Sequence, residues 1–387
     1  MSSASSVPAP SSRISAGRVL GGKFEIVGVL GEGGTGIVYD AIRLKEKDAI
    51  ALKVIHGHLL GDKQIRGRFT REAAILRRLE GPHLCAILDF GEVADPKHAE
   101  AGLLYIALPK IDGIALDRLL KDQGTLPIER ALEVVLEVCE ALKSAHAQGV
   151  IHRDLKPANV ILRDGRHAIV VDFGMAKIVT GGGTGTTALT AHNMVFGTPE
   201  YMAPEQARGD ELDARCDVYA TGVILYELLT GTVPFTGATP LNVLTAHLTS
   251  QPPPPRERAP TRSITPALEA VVMHAITKDP AARYATAGAL AAAIQHARAR
   301  PDDVDGVRPG TYRIDVDGDA HAPTIPSPIP TDPPPPMRAS SRPTPTAPRV
   351  VPVPEDRGLG TRGWALIWVI AAVVSISVGV WLSLRAN

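Results

Sequence analysis

The chain has 387 residues, 41 basic and 41 acidic, for a formal net charge of zero. With 44% hydrophobic and 21% charged residues it has an ordinary globular balance, which excludes a wholly disordered chain; the absence of a basic surplus argues against a protein that works by coating nucleic acid. Three scattered cysteines, Cys85, Cys139 and Cys216, make neither a disulfide framework nor a zinc site and read as reduced thiols in a cytosolic domain.

Residues 1–18 are mainly Ser, Ala and Pro and read as a disordered arm. No apolar stretch follows the start, so it is not a secretory signal. From 19 to 297 the composition is that of a packed domain. Phe24 to Leu30 reads as a strand, followed by Gly31-Glu32-Gly33-Gly34-Thr35-Gly36-Ile37-Val38-Tyr39. Glycines let a backbone fold tightly and aim amides at phosphate. A dinucleotide-binding turn shares the three-glycine spacing but opens a helix. Here Ile37-Val38-Tyr39 continues as β, which favours a hairpin over a nucleotide. In the next strand, Ala49 to Ile55, Lys53 interrupts an apolar run. It either reaches solvent from a strand edge or meets an anion, since an unpaired buried ammonium is costly. Phe69, Ala73, Leu76 and Leu79 have helical spacing and carry Glu72, which is either a solvated glutamate or that lysine's partner.

Leu132, Val135, Leu136, Cys139 and Leu142 mark a further helix, ending near Gly149. The loop His152-Arg153-Asp154-Leu155-Lys156-Pro157-Ala158-Asn159 then lies between apolar runs, too rich in polar function to be surface filler. Ile169-Val170-Val171-Asp172-Phe173-Gly174 forms a strand ending in a carboxylate. Asp172 with Asn159 would supply hard oxygen ligands for Mg²⁺.

Residues 301 to 355 carry 15 of the 33 prolines, so 298–363 reads as a semi-rigid, proline-rich juxtamembrane linker. Asp315-Val316-Asp317-Gly318-Asp319 lacks the glutamate and flanking helices of a calcium loop. Residues 364–384 carry no charge and would form a helix about 30 Å long, with Trp364, Trp368 and Trp381 toward its ends. This reads as one C-terminal transmembrane helix, a tail anchor, with 385–387 as a short extracytoplasmic tail. Arg338, Arg342, Arg349, Arg357 and Arg362 precede it and only Arg385 follows, which places the long N-terminal part in the cytoplasm. Ala371, Ser375, Gly379 and Ser383 recur every four residues, a small-residue face suited to a homodimer, although membrane helices are rich in small residues anyway.

Taken in order, the Gly-rich loop, Ala51-Leu52-Lys53, His152 to Asn159, Asp172-Phe173-Gly174 and Gly197-Thr198-Pro199-Glu200-Tyr201-Met202-Ala203-Pro204-Glu205 resemble the protein kinases, and among them the bacterial eukaryotic-type (Hanks-type) serine/threonine kinases. The resemblance implies an α+β bilobal fold, a β-rich N-lobe at about 19–112 and a mainly helical C-lobe at about 113–297. It implies transfer of the γ-phosphoryl group of ATP to Ser/Thr hydroxyls of protein substrates, with Mg²⁺ or, in its place, Mn²⁺. By similarity, Asp154 accepts the substrate proton, Lys156 neutralises the moving phosphoryl group, Lys53 holds the ATP phosphates and pairs with Glu72, and Asn159 and Asp172 hold the metal. Nucleotide contacts fall on Gly31, Glu32, Gly33, Gly34, Gly36, Val38, Ala51, Lys53, Leu108, Pro109 and Ile111, with Leu108 as gatekeeper and the Ile111 amide as adenine donor. Pro109 departs from the acidic residue usual there, but keeps its carbonyl. Glu205, Arg283 and Asp217 take structural roles. Arg153 implies docking of a phosphorylated activation segment, Met175 to Glu205, with Thr190 favoured over Thr180, Thr184, Thr186 and Thr187. The alternative is a catalytically inactive nucleotide-binding scaffold acting through its proline-rich stem.

Overall fold

The computed structural model describes residues 13–56, 63–93, 102–173 and 198–311. The N-lobe is built by strands β1 (Val19–Leu20), β2 (Phe24–Gly33), β3 (Gly36–Arg43), β4 (Ala49–Ile55), β5 (Asp89–Glu92) and β6 (Leu104–Pro109), with helix α1 (Lys63–Leu76). Over the described residues the sheet order is β1-β2-β3-β4-β6-β5, with antiparallel pairing throughout. Alternation along the strands separates two faces. One buries Ile37, Tyr39, Ala41, Ile50, Leu52, Val54 and Ala107 in an N-lobe core. On the other, Ile55, Ile106 and Leu108 join the larger core that runs into the C-lobe.

The C-lobe begins with β7 (Gly113–Ala115), α2 (Leu116–Gln123) and α3 (Ile128–Ala147). Strands β8 (Val160–Arg163) and β9 (His167–Val170) pair in the order β7-β8-β9. Helices α4 (Pro204–Arg208), α5 (Arg215–Thr230), α6 (Pro240–Thr249), α7 (Pro255–Arg258), α8 (Pro266–Ala275) and α9 (Ala287–Ala299) complete it. α5 is apolar on nearly every side, from Cys216 to Leu229, and is accordingly the central buried helix. Thr239, Thr265 and Thr286 each cap a helix, the side-chain oxygen accepting from an amide three residues on.

Two boundaries differ from the sequence expectation. Residues 13–18, assigned to the arm, lie on the N-lobe. Ile14 is buried, its N–H donates to Tyr39 Oη at 3.0 Å, and Gly17 N donates to Ile26 O at 2.8 Å. At the other end the fold continues past 297. Pro301 O accepts from Ala267 N at 2.9 Å, Val307 is fully buried, and Tyr284 Oη donates to Val307 O at 2.6 Å. One apolar side chain in each short segment finds a hole in the neighbouring core, which composition averaged over the segment hides. Helix α1 also stops at Leu76, three residues before Leu79, which is still buried.

Among the described residues no helix is long and apolar enough to cross a membrane. The span expected at 364–384, its small-residue face, the rest of the linker, residues 1–12, Gly174 and Thr180 to Thr190 lie outside the described residues.

Candidate active site

The strand register brings the expected nucleotide residues onto one face. Gly31 pairs with Val38, Val38 with Lys53, and Ala51 with Leu108. These positions differ by even steps along their strands, so Val38, Ala51, Lys53 and Leu108 share the face opposite the N-lobe core. Lys53 is only 6% exposed, and its ammonium meets Asp172 Oδ2 at 2.7 Å. The apolar run around Lys53 therefore conceals a buried cation with an anionic partner, as desolvation demands.

Gly149, with φ of 75°, closes α3 in the left-handed region and turns the chain into the loop at 150–159. His152 is fully buried against Phe173, ring centroids 4.8 Å apart; its Nε2 donates to Val171 O at 3.0 Å and its Nδ1 accepts from Asp154 N at 3.3 Å. Arg153 and Asp172 both have positive φ, 67° and 62°. Each such non-glycine residue costs about 1–3 kcal/mol and persists only where its surroundings hold it. Asp217 on α5 provides that hold for Arg153. Its Oδ1 accepts from Arg153 N at 2.9 Å, and its Oδ2 accepts from His152 N at 2.8 Å and from His146 Nε2 at 2.8 Å. Gln206 Nε2 donates to Arg153 O at 2.7 Å from the far side. Burial alone would push the Asp217 carboxyl up, but the His146 hydrogen bond, the charges of His146 and His152 and the Arg153 amide hold it below the usual 3.8.

The strained turn delivers Asp154, whose Oδ2 receives Lys156 Nζ at 2.8 Å. Asn159 Nδ2 donates to Asp154 O at 2.7 Å, and Val171 N donates to Asn159 O at 2.9 Å, which seats the start of β8 beside the Asp172 turn. Asp154, Lys156, Asn159, Asp172 and Lys53 are thus joined through direct contacts and adjacent backbone. Glu72 differs. Among the described residues the ion pair of Lys53 is with Asp172, and no Lys53–Glu72 pair is formed. Glu72, half-buried on α1, lines a cavity with Ile75, Leu76, Val150, Ile151 and Arg153.

A protein kinase domain model matches residues 24–296. The chain belongs to the protein kinase family. The serine/threonine-protein kinase pkn3 of Myxococcus xanthus is 42% identical over 283 residues, covering 72% of this chain and 50% of that one. The serine/threonine-protein kinase PknB of Mycobacterium tuberculosis is 39% identical over 274 residues, covering 70% and 42%. The chain therefore spans half or less of the length of these curated relatives. The crystal structure of the PknI kinase domain of Mycobacterium tuberculosis matches with a TM-score of 0.56 at 27% identity, covering 74% of this chain and 99% of that one. The expected bilobal kinase fold and its bacterial serine/threonine relationship are both met.

The kinase fold uses ATP and Mg²⁺, and the residues present fit both. Gly31, Gly33 and Gly34 do not have positive φ, and a Cβ on any of them would meet nothing within 4 Å. The chain itself does not require glycine there; close approach by a ligand would. Gly36 is different, since a Cβ there would collide with Val54 O, so the β3–β4 pairing itself requires it. For the metal, the Asn159 amide is oriented by its bond to Asp154 O, which leaves its Oδ1 with Asp172 as an oxygen pair suited to Mg²⁺. Among the described residues no cluster of three or more His, Cys, Asp or Glu side chains offers a self-sufficient metal cage, so this pair suits a cation shared with phosphate.

Pro109 ends β6 opposite Ile50, beyond Ala107, the last residue that β5 pairs with, so its missing N–H forfeits no β5 bond. Lys110 Nζ reaches Asp40 Oδ2 at 2.9 Å and ties this crossing segment to β3. The Ile111 N–H is in no backbone–backbone hydrogen bond among the described residues.

Glu205 and Arg283 form a buried bidentate pair at 2.6 and 2.8 Å. Arg283 also donates to the carbonyls of Thr277, Lys278 and Arg215 and stacks over Tyr219 at 4.7 Å. Sequence reasoning missed His146 and Gln206. A histidine in the last turn of a helix and a glutamine in a short helix have no local signal, because both act on a loop reached only through tertiary folding.

Proposed function

We propose that the chain is a serine/threonine protein kinase that moves the γ-phosphoryl group of ATP to Ser or Thr hydroxyls of protein substrates. The observation that carries this reading is that Asp154, Lys156, Asn159, Asp172 and Lys53 are brought together through direct contacts and adjacent backbone. Asp154 orients the substrate hydroxyl and takes its proton. Lys156, within reach of Asp154, balances charge on the group in transit. Lys53 leaves Asp172 for the phosphates and takes Glu72 as partner when α1 moves inward. Mg²⁺, when bound, neutralises phosphate charge, and Asn159 and Asp172 are the residues to hold it. Catalysis of this kind is positioning plus electrostatic stabilisation. Ala51, Val38 and Leu108 wall the adenine site, with the Pro109 carbonyl and Ile111 amide at its edge. The inactive-scaffold reading is not favoured, since none of Lys53, Glu72, Asp154, Lys156, Asn159 and Asp172 is replaced in the sequence.

Three further parts of the reading rest on sequence. Arg153, fixed in its turn, is suited to receive a phosphate on the activation segment, with Thr190 the first site. The uncharged stretch 364–384 supports a single-pass cell-membrane anchor with the kinase domain in the cytoplasm. Its small-residue face supports a homodimer that phosphorylates in trans.

The test is intact-mass analysis of the full chain, detergent-solubilised and incubated with Mg²⁺ and ATP, beside Asp172→Ala. Phosphate gained by the parent alone, mapped between 175 and 205, is the expected result. ATP binding with no phosphate on the chain or on added proteins would move the assignment to the scaffold.

A further inference from the structure

The turn of the Gly-rich hairpin is held by a residue outside every motif used above. His56 is the first residue after β4. Its N–H donates to Thr35 O at 3.2 Å, and its ring Nε2 lies 3.0 Å from Gly33 O. A carbonyl oxygen only accepts, so Nε2 carries the hydrogen. Gly33 and Gly36 close the β2–β3 hairpin, and Thr35 lies in its turn. One side chain and its own amide thus grip carbonyls on both sides of Gly34.

The planar trans peptide sets Gly33 C=O and Gly34 N–H in opposite directions. Fixing the carbonyl on His56 therefore turns the Gly34 amide away from His56. The bond from His56 N to Thr35 O prolongs the β3–β4 pairing by one residue beyond Gly36 and Ile55, so alternation carries on to His56 and sets it on the face opposite Lys53. The hairpin turn carries no crowding of its own at Gly33 or Gly34 that would set this orientation. Nor does the salt bridge of Arg13 with Glu32 at 2.8 Å substitute for the ring, because its partners are 68% and 44% exposed and such pairs are weak.

We propose that His56 is a positioning residue for ATP: its ring N–H holds the Gly33–Gly34 peptide in the orientation that presents the Gly34 amide to phosphate. The proposal rests on the kinase reading for its ligand, but the anchoring itself does not. His56 touches neither the nucleotide nor the reacting atoms, so its loss weakens ATP binding and leaves the chemical step alone.

The experiment compares the full-length parent with His56→Leu, which keeps bulk but no donor, and His56→Gln, whose side-chain amide restores a donor. Hydrogen–deuterium exchange without nucleotide follows peptides covering 31–37, calorimetric titration with Mg²⁺ and ATP gives Kd, and phosphotransfer gives KM and kcat. A lost side-chain hydrogen bond is worth about 0.5–1.5 kcal/mol, or roughly two- to twelvefold in affinity. His56→Leu should speed exchange in 31–37 but not in β8–β9, raise Kd and KM for ATP about fivefold, and leave kcat within about twofold. His56→Gln should return each value toward the parent. Unchanged exchange in His56→Leu, faster exchange with Kd unmoved, or failure of His56→Gln to recover would each overturn the proposal. A parent that binds ATP but transfers no phosphate would sink the kinase reading while exchange and Kd still decide on His56. A parent that binds no ATP would overturn both.

Discussion

Removing the Asp217 carboxylate should loosen the catalytic loop more than any other single change to its support. The carboxylate is buried and takes four hydrogen bonds, from the amides of His152 and Arg153, from His146 Nε2 and, over a longer distance, from Cys216 Sγ. Asp217→Ala leaves one buried and one half-buried backbone N–H group without an acceptor, at about 1–3 kcal/mol each. It also frees Arg153, at φ 67°, to relax out of the left-handed region. A loss near 4 kcal/mol follows, taking the middle of that range. At roughly 2.1 cal/mol/K per residue, a domain of this size has an unfolding entropy of about 0.6 kcal/mol/K, so the melting temperature should fall by about 7 °C. Asp217→Asn retains one acceptor oxygen but turns an NH₂ group toward a backbone donor, and should lose about half as much. Thermal unfolding by circular dichroism at pH 7 reads both, and phosphotransfer should fall further than stability, because Asp154 is the next residue in the loosened turn. The pH dependence has a fixed sign. Asp217 is held below 3.8 when folded, so its contribution is fully present above about pH 4 and is lost as pH falls through the lower folded value. The gap between parent and Asp217→Ala should therefore narrow only in acid. A melting temperature for Asp217→Ala within 2 °C of the parent, with kcat reduced less than about tenfold, would refute the reasoning.

Asp154→Asn should cut phosphate incorporation by about 10²- to 10⁴-fold with the melting temperature unchanged, measured by intact mass and calorimetry, since among the described residues the side chain holds only Lys156. Arg283→Met leaves Glu205 charged and buried, and should cost about 3–5 kcal/mol in urea unfolding; the double variant with Glu205→Leu should recover part of that. His247 is buried beside Lys278, and burial with that cation lowers it from 6.5 to about 4. Its folded value is depressed, so the parent should lose about 3 kcal/mol as pH falls from about 6.5 to 4, a slope that His247→Phe removes in urea titrations across that window.

Much of this site was legible because its chemistry is crowded into short runs. Lys53 in an apolar strand, the polar loop from His152 to Asn159 and the carboxylate at the end of an apolar strand each violate a local pattern, and such violations mark function. Alternation along β4 even foretells that Ala51 and Lys53 face one way, whereas the register with β3 that adds Val38 comes only from the fold. The contact of Lys53 with Asp172 was not legible: the resemblance implies Glu72 as the partner, and no local pattern in the sequence sets the distance between α1 and β4. His146, Gln206 and His56 escaped notice for a related reason. Each acts on backbone atoms, which every residue possesses, so no complementary side chain exists to betray the contact. The docking of Ile14 and of Val307 was equally hidden, since a single apolar residue in a polar segment has no periodicity to detect.

The three cysteines make the folded domain its own opening reporter. All are buried, and burial pushes the Cys85 thiol up to about 12 and Cys139 and Cys216 higher still. An alkylating reagent at neutral pH meets almost no thiolate in the closed molecule. The positions also divide the structure. Cys85 donates its amide to Val170 O at the end of β9, Cys139 sits in the α3 core, and Cys216 lies in the first turn of α5 beside Asp217. The order in which the three take up label in dilute urea would rank those regions by their local opening free energies, without any engineered probe.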